Sequence, residues 1–298
     1  MVLVAKHLWR VFMNQFPRTV VGGLSISRML IGTNWFLGWS HTTAAKDNFI
    51  KENIRERKTM ARIIEVYLRN GVDAIMGQID NDPLKSAICD AEDSTGVKCH
   101  IISTPHFPVN AETPTKGFDL SEAERIIAHN KSMGAEFLLP HQCTTDAMVD
   151  RCTRTLRKMD DLCALIRKYE MIPGLSTHMP ESIIYSDESG LDVETYISMY
   201  NSMGFLMQVE VDWVANVIRN AKKPVMTIKP MAAGQLRPFQ ALTFVWNTLR
   251  PQDMVTVGTM TPAEAEEVIE ISLKILEGRD SQIKLQETRS KSSIKSKA

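Results

Sequence analysis

The chain carries no excess of charge. Its 35 basic and 35 acidic residues cancel, so no overall field draws in nucleic acid or an acidic membrane surface, and neither is expected as a partner. Cysteine is sparse and unpaired in pattern. Cys89, Cys99, Cys143, Cys152 and Cys163 are odd in number and contain no C-x-x-C, which argues against a zinc ribbon and a disulfide framework and fits a reducing, cytoplasmic setting. Long hydrophobic runs are missing as well. Val4, Leu8, Val11 and Phe12 recur at helical spacing, but Lys6, Arg10 and Asn14 interrupt any membrane or signal helix, so residues 1–20 read as an amphipathic cap. No acidic residue precedes Asp47, which leaves a transit peptide as the lesser alternative for so short and serine-poor an opening. At the far end, Lys284, Arg289, Lys291, Lys295 and Lys297 stand among serines without apolar periodicity, so residues 281–298 are expected to be a disordered basic tail.

What is present is the composition of a globule, 44% hydrophobic and 23% charged, able to bury a large core. Eight short apolar runs, each followed by a helical pattern, succeed one another: Arg28 to Asn34, Asp73 to Gln78, Lys98 to Thr104, Ala135 to His141, Met171 to Thr177, Gly204 to Glu210, Pro224 to Lys229 and Met254 to Gly258. Such alternation is that of a parallel sheet, and eight units predict an α/β fold, one (β/α)8 TIM barrel over residues 21–280. Thr261-Pro262-Ala263-Glu264 and Ser121-Glu122-Ala123-Glu124 read as capping boxes. Thr104 to Leu120 and Thr177 to Asp192 read as long loops at strand C-termini, where barrels place substrate contacts.

In an eight-stranded barrel the strand ends share one cup. Here that cup is expected to hold Asn34, Gln78, Thr104, His106, His141, Gln142, Thr177, His178, Gln208, Glu210, Asp212 and Lys229. His106, His141, His178 and Glu210 could converge on a divalent metal such as zinc or manganese, or each histidine could be hydrogen-bonded separately. Lys229 reads as a desolvated base or carbonyl nucleophile, or as the partner of Glu210, and the ion pair is the preferred reading. Trp35 wall-packing, with Asn34, Gln78 and Asp212, suggests substrate contacts. Cys143 reads as an apolar filler.

These residues also resemble the aldo-keto reductase superfamily. Phe16-Pro17-Arg18-Thr19 through Gly22-Gly23-Leu24-Ser25-Ile26-Ser27-Arg28-Met29-Leu30-Ile31-Gly32-Thr33 is similar to that family's hairpin and first strand. Gly174-Leu175-Ser176-Thr177-His178, Gln208-Val209-Glu210, Lys229-Pro230-Met231-Ala232-Ala233-Gly234 and Val257-Gly258-Thr259-Met260-Thr261-Pro262 are similar to its fifth to eighth strand ends. The resemblance implies NADPH-linked carbonyl reduction by a tyrosine supported by lysine, aspartate and histidine. Of that tetrad only the histidine has a counterpart, His141; Pro105 follows Ser103-Thr104 where lysine would stand, and Val72 to Asp80 holds no tyrosine. The resemblance further implies nicotinamide contacts from Ser176, Thr177 and Gln208 and a phosphate contact near Thr259. Ile228 replaces the stacking aromatic, and Thr261 and Glu264 replace the basic pair for the 2′-phosphate, so NADP is a poorer match than NAD.

The expectation is therefore a barrel acting on a small carbonyl or polyhydroxylated compound by metal- or histidine-assisted acid–base chemistry, as an isomerase, lyase or hydrolase. In it His141 and Glu210 serve as acid–base pair and Lys229 or Asn34 stabilises negative charge. The alternatives are an NAD(P)-dependent oxidoreductase with an altered tetrad and a non-catalytic ligand-binding barrel; a homo-oligomer is compatible with each.

Overall fold

The computed structural model describes residues 16–79 and 82–279. The basic tail and the first 15 residues of the expected amphipathic cap lie outside them. The remainder of that cap begins a two-stranded antiparallel hairpin, Arg18–Val21 with Leu24–Ser27. Val21 and Ile26 of the hairpin join the barrel-interior cluster that includes Leu30, Met76, Phe137 and Met226, so the hairpin closes the bottom of the barrel.

Parallel strands form the wall in eight positions, in the order of the chain: Met29–Gly32, Ala74–Gly77, His100–Ser103, Ala135–Leu138, a fifth in two segments (Ile172–Pro173 and Leu175–Ser176), Tyr196–Met199, Val225–Ile228 and Met254–Val257. The last pairs with the first, Val255 beside Met29 and Val257 beside Ile31. The fifth strand completes the circle through alternating amides. Gly174 and Ser176 donate to Leu138 and Pro140 on one side, and Leu175 and Thr177 donate to Thr195 and Ile197 on the other. The wall is buried on both faces, as a parallel sheet under helices requires. An inner cluster fills the barrel, and a larger one, including Ile31, Ile75, Ile101, Tyr67, Ile127 and Val255, packs the helices against its outside.

The sixth strand is not where the apolar run placed it. Tyr196–Met199 forms it, and Gly204 to Glu210 is a turn-rich segment leading to the helix Val211–Asn220. Asn201 causes the displacement. Its buried side chain accepts the amides of Met203 (3.2 Å) and Phe205 (2.9 Å) and donates to the Phe205 carbonyl (3.1 Å), which winds the chain into a turn. The expected loop from Thr177 to Asp192 is mostly the helix Glu181–Ser189, so only the segment after the third strand, with its single helical turn Thr113–Lys116, is a long connection of the two. Thr261 caps the last helix as expected, accepting the Glu264 amide while the Glu264 carboxylate accepts the Met260 amide. Asp119 rather than Ser121 caps the helix Leu120–Ser132.

The bottom of the barrel is locked by ion pairing. The fully buried Asp253 accepts the amide of Val225 (2.9 Å) and two bonds from the Arg250 guanidinium (2.7 and 2.9 Å). Arg28 reaches the carbonyls of Asp253 (3.0 Å) and Arg250 (2.9 Å) with its guanidinium over Trp246. This joins strands one, seven and eight at the end opposite the mouth.

Candidate active site

The C-terminal strand ends enclose a cavity of about 660 Å³, within the range of small-molecule sites. Its inner part lies over the mouth, and it continues along the loop after strand seven to the start of the last helix. Two glycines make room. A Cβ on Gly77, at φ +149°, would meet Thr33 Oγ1 at 1.8 Å, and one on Gly258 would meet Trp35 Cδ1 at 2.3 Å. The indole of Trp35 therefore lies directly on strand-eight backbone and forms one wall.

Of the residues expected to carry function, Asn34, Trp35, Gln78, His141, Ser176, His178, Lys229 and Thr259 line this cavity together. Thr177 lies beneath it, with its hydroxyl committed to Asp146 (2.5 Å). Gln208, Glu210 and Asp212 do not reach the site. With strand six ending at Met199, Gln208 falls in the turn, Glu210 becomes the residue before the helix Val211–Asn220 and Asp212 lies in its first turn, all three exposed. The expected Lys229–Glu210 ion pair is consequently absent, as is a four-residue metal set containing Glu210. The only group of three potential metal ligands among the described residues is His106, His141 and Cys143, with ligand atoms within 4.8 Å of one another. His106 is exposed, its ring centroid 4.0 Å from that of His141. Cys143 is also exposed, not a buried filler, because it lies in the first turn of the short helix Gln142–Ala147.

His141 caps that short helix: its Nδ1 accepts the Cys143 amide at 3.3 Å. A ring nitrogen that accepts carries no proton, so the neutral imidazole has its hydrogen on Nε2. Burial, then proximity to His106, His178 and Lys229, pushes His141 down to about 4. Burial, then Lys229 and His41, push His178 to about 4 as well. Both rings are therefore neutral at neutral pH. Lys229 is pushed down to about 8 by burial alone. It has no ion pair or hydrogen-bonded side-chain partner among the described residues, and its backbone is left-handed at φ 58°, followed by Ala232 at 48° and Ala233 at 56°. Non-glycine residues in that region are strained, and such strain collects where geometry is held for function. Asp146 was not anticipated. It lies under the cup, accepts the Thr177 hydroxyl and the His178 amide (3.1 Å), and so fixes the end of strand five; burial raises its pKa.

Among the described residues carboxylates line the cavity only at its outer end, where Glu264 and Glu267 stand on the last helix. There the amide of Glu264 is already bonded to Thr261, and the Glu264 carboxylate to the amide of Met260. A phosphate placed against Glu264 would meet its negative charge and amides already bonded. None of the five tyrosines of the chain lines the cavity, and with Gln208 outside and Thr177 committed, Ser176 alone remains of the three expected nicotinamide contacts.

No family model matches the chain, and no curated protein matches it in sequence. Solved structures do match its fold. A Pseudomonas aeruginosa protein proposed to be an aldo-keto reductase is 16% identical, with a TM-score of 0.61 over 89% of this chain and 99% of its own. An aldo/keto reductase from Brucella melitensis is 12% identical, with a TM-score of 0.52 over 88% and 99%. A truncated 3-deoxy-D-arabino-heptulosonate 7-phosphate synthase from Thermotoga maritima is 10% identical, with a TM-score of 0.51 over 90% and 94%. The chain thus resembles the aldo-keto reductases in fold, a TIM barrel that carries other chemistries too.

Proposed function

We propose that the protein is an enzyme acting on a small, polyhydroxylated carbonyl compound by acid–base chemistry, without hydride transfer. The observation that carries this reading is the inner end of the cavity. It brings two neutral imidazoles and a partly neutral amine together, and among the described residues no carboxylate or tyrosine lines that end of the cavity. A carbonyl placed there meets the His141 Nε2 hydrogen, which donates to the carbonyl oxygen. His178, kept neutral, accepts the proton of the adjacent carbon, and Lys229 stabilises the charge that develops on oxygen. Asn34, Gln78 and Ser176 supply amide and hydroxyl partners for substrate hydroxyls. The cap bond to Nδ1 favours a hydrogen-bond donor over a metal ligand at Nε2, because ligation there would need the opposite tautomer and would forfeit the cap.

The test is exchange of the α-protons of dihydroxyacetone and related hydroxyketones in D2O, followed by proton NMR. Catalysed exchange that falls about 10²- to 10⁴-fold in His178→Gln supports the reading. Absence of exchange across the panel, with NADH-dependent reduction of the same compounds, overturns it. That second outcome belongs to an NAD-linked reductase, a reading favoured by the continuation of the cavity past Gly258 to the last helix.

A further inference from the structure

We propose that Lys229 is a covalent nucleophile, forming an iminium with the carbonyl carbon of a hydroxylated ketone bound in the cavity. This rests on the reading above and narrows it to chemistry that passes through an imine.

A lysine at the end of a barrel strand has two ordinary fates. It pairs with a carboxylate, or it snorkels to water along its own stem. Lys229 lacks the first: it has no ion pair among the described residues, and its half-buried side chain opens into the cavity rather than onto the outer surface. No carboxylate among the described residues faces it: Ile228, Pro230 and Met231 are its neighbours along the chain in the wall, and His41, His141 and His178 are the titratable groups that feel its charge. Burial moves the amine to about 8, so a useful fraction is unprotonated near neutral pH. The left-handed backbone at Lys229, Ala232 and Ala233 is a separate observation pointing the same way, since the fold tolerates strain at three residues of one loop, the one that carries this side chain.

The step balances with groups already in the cup. The Lys229 ammonium passes one proton to neutral His178, and the freed Nζ attacks the carbonyl carbon while His141 Nε2–H donates a hydrogen bond to the carbonyl oxygen. A C–N bond forms, the carbonyl π electrons pass to oxygen, and one proton moves from nitrogen to that oxygen, giving a neutral carbinolamine with His141 still neutral. The proton held on His178 then goes to the carbinolamine hydroxyl, which leaves as water as the nitrogen lone pair closes the C=N bond. The net change is ketone plus ammonium to protonated imine plus water, with both histidines ending neutral and no oxidant or reductant consumed.

The full chain is incubated with dihydroxyacetone and sodium borohydride, then read by intact mass and peptide mapping. The expected result is one adduct per chain, heavier by the probe less one oxygen, on the peptide containing Lys229, and lost in Lys229→Arg and Lys229→Met. Labelling scattered over surface lysines, or equal labelling of the heat-unfolded chain at Lys229, overturns the proposal. The α-proton exchange assay separates the two ideas. If Lys229→Met retains exchange that His178→Gln loses, the imine falls and the acid–base reading stands; if the parent neither exchanges nor labels, both fall.

Discussion

Replacing Lys229 by Met is expected to make the protein more stable. Methionine keeps the length of the side chain and a Cβ, so the left-handed backbone strain at φ 58° is common to both chains and cancels. What differs is a charge. The amine moves from an ordinary value of 10.5 in the unfolded chain to about 8 in the fold, which at about 1.36 kcal/mol per pH unit corresponds to roughly 3 kcal/mol against holding it protonated. Lys229 remains partly exposed, so solvent screening reduces this to about 2 kcal/mol, a rise in Tm of roughly 4–8 °C. The pH dependence follows from linkage. Below pH 8 the lysine is protonated in both states and the folded state carries the full cost. Between 8 and 10.5 the unfolded chain binds a proton that the native chain does not, so the parent gains stability as pH rises and the two proteins converge. His41, His141 and His178 are neutral through that window and add no slope. Urea unfolding at a series of pH values measures the gap. A Lys229→Met protein less stable than the parent at neutral pH, or a gap that does not narrow toward pH 10.5, refutes the reasoning.

Other positions make equally definite demands. His141 and His178 titrate at about 4 in the fold against an ordinary 6.5, so stability is lost as pH falls from 6.5 to 4, where the unfolded chain binds the extra protons; the double variant His141→Gln/His178→Gln should flatten that stretch of the urea midpoint curve. Asp253→Ala leaves the half-buried Arg250 guanidinium without its carboxylate and should lower unfolding free energy by about 3 kcal/mol, while borohydride labelling at the opposite end of the barrel, measured below its Tm, stays at the parent level. Gly258→Ala places a Cβ 2.3 Å from Trp35 Cδ1, so the indole must leave its seat; shifted tryptophan emission and weaker labelling by dihydroxyacetone are expected, and unchanged spectra would show that the wall can yield elsewhere.

The barrel was legible because parallel strands buried on both faces read as apolar runs, and seven of them lie where the runs do. The sixth was misplaced because Phe205, Leu206 and Met207 have the composition of a strand, whereas the turn around Asn201 depends on a side chain satisfying three backbone groups. The N-x-x-G spacing of Asn201 and Gly204 was the available signal. That one displacement removed Gln208, Glu210 and Asp212 from the site. The half of the cup built on strands four, five and seven was readable, since His141 and Lys229 end, and His178 directly follows, correctly placed runs. Asp146 was not, because its role comes from a short helix folding back beneath Thr177, a contact between residues 31 apart.

The left-handed turn after strand seven has a thermodynamic meaning beyond strain. Ala232 and Ala233 occupy backbone conformations that glycine adopts without cost, yet alanine leaves the unfolded chain fewer states to surrender and the folded loop fewer to explore. The loop is thereby preorganised. A ligand arriving at Lys229 need not freeze it, so binding free energy that would go into ordering a flexible arm remains for the reacting bonds. Ala232→Gly or Ala233→Gly would relax the fold while returning that entropy to the binding step, which makes rigidity, more than contact, the property this stretch of sequence confers on its lysine.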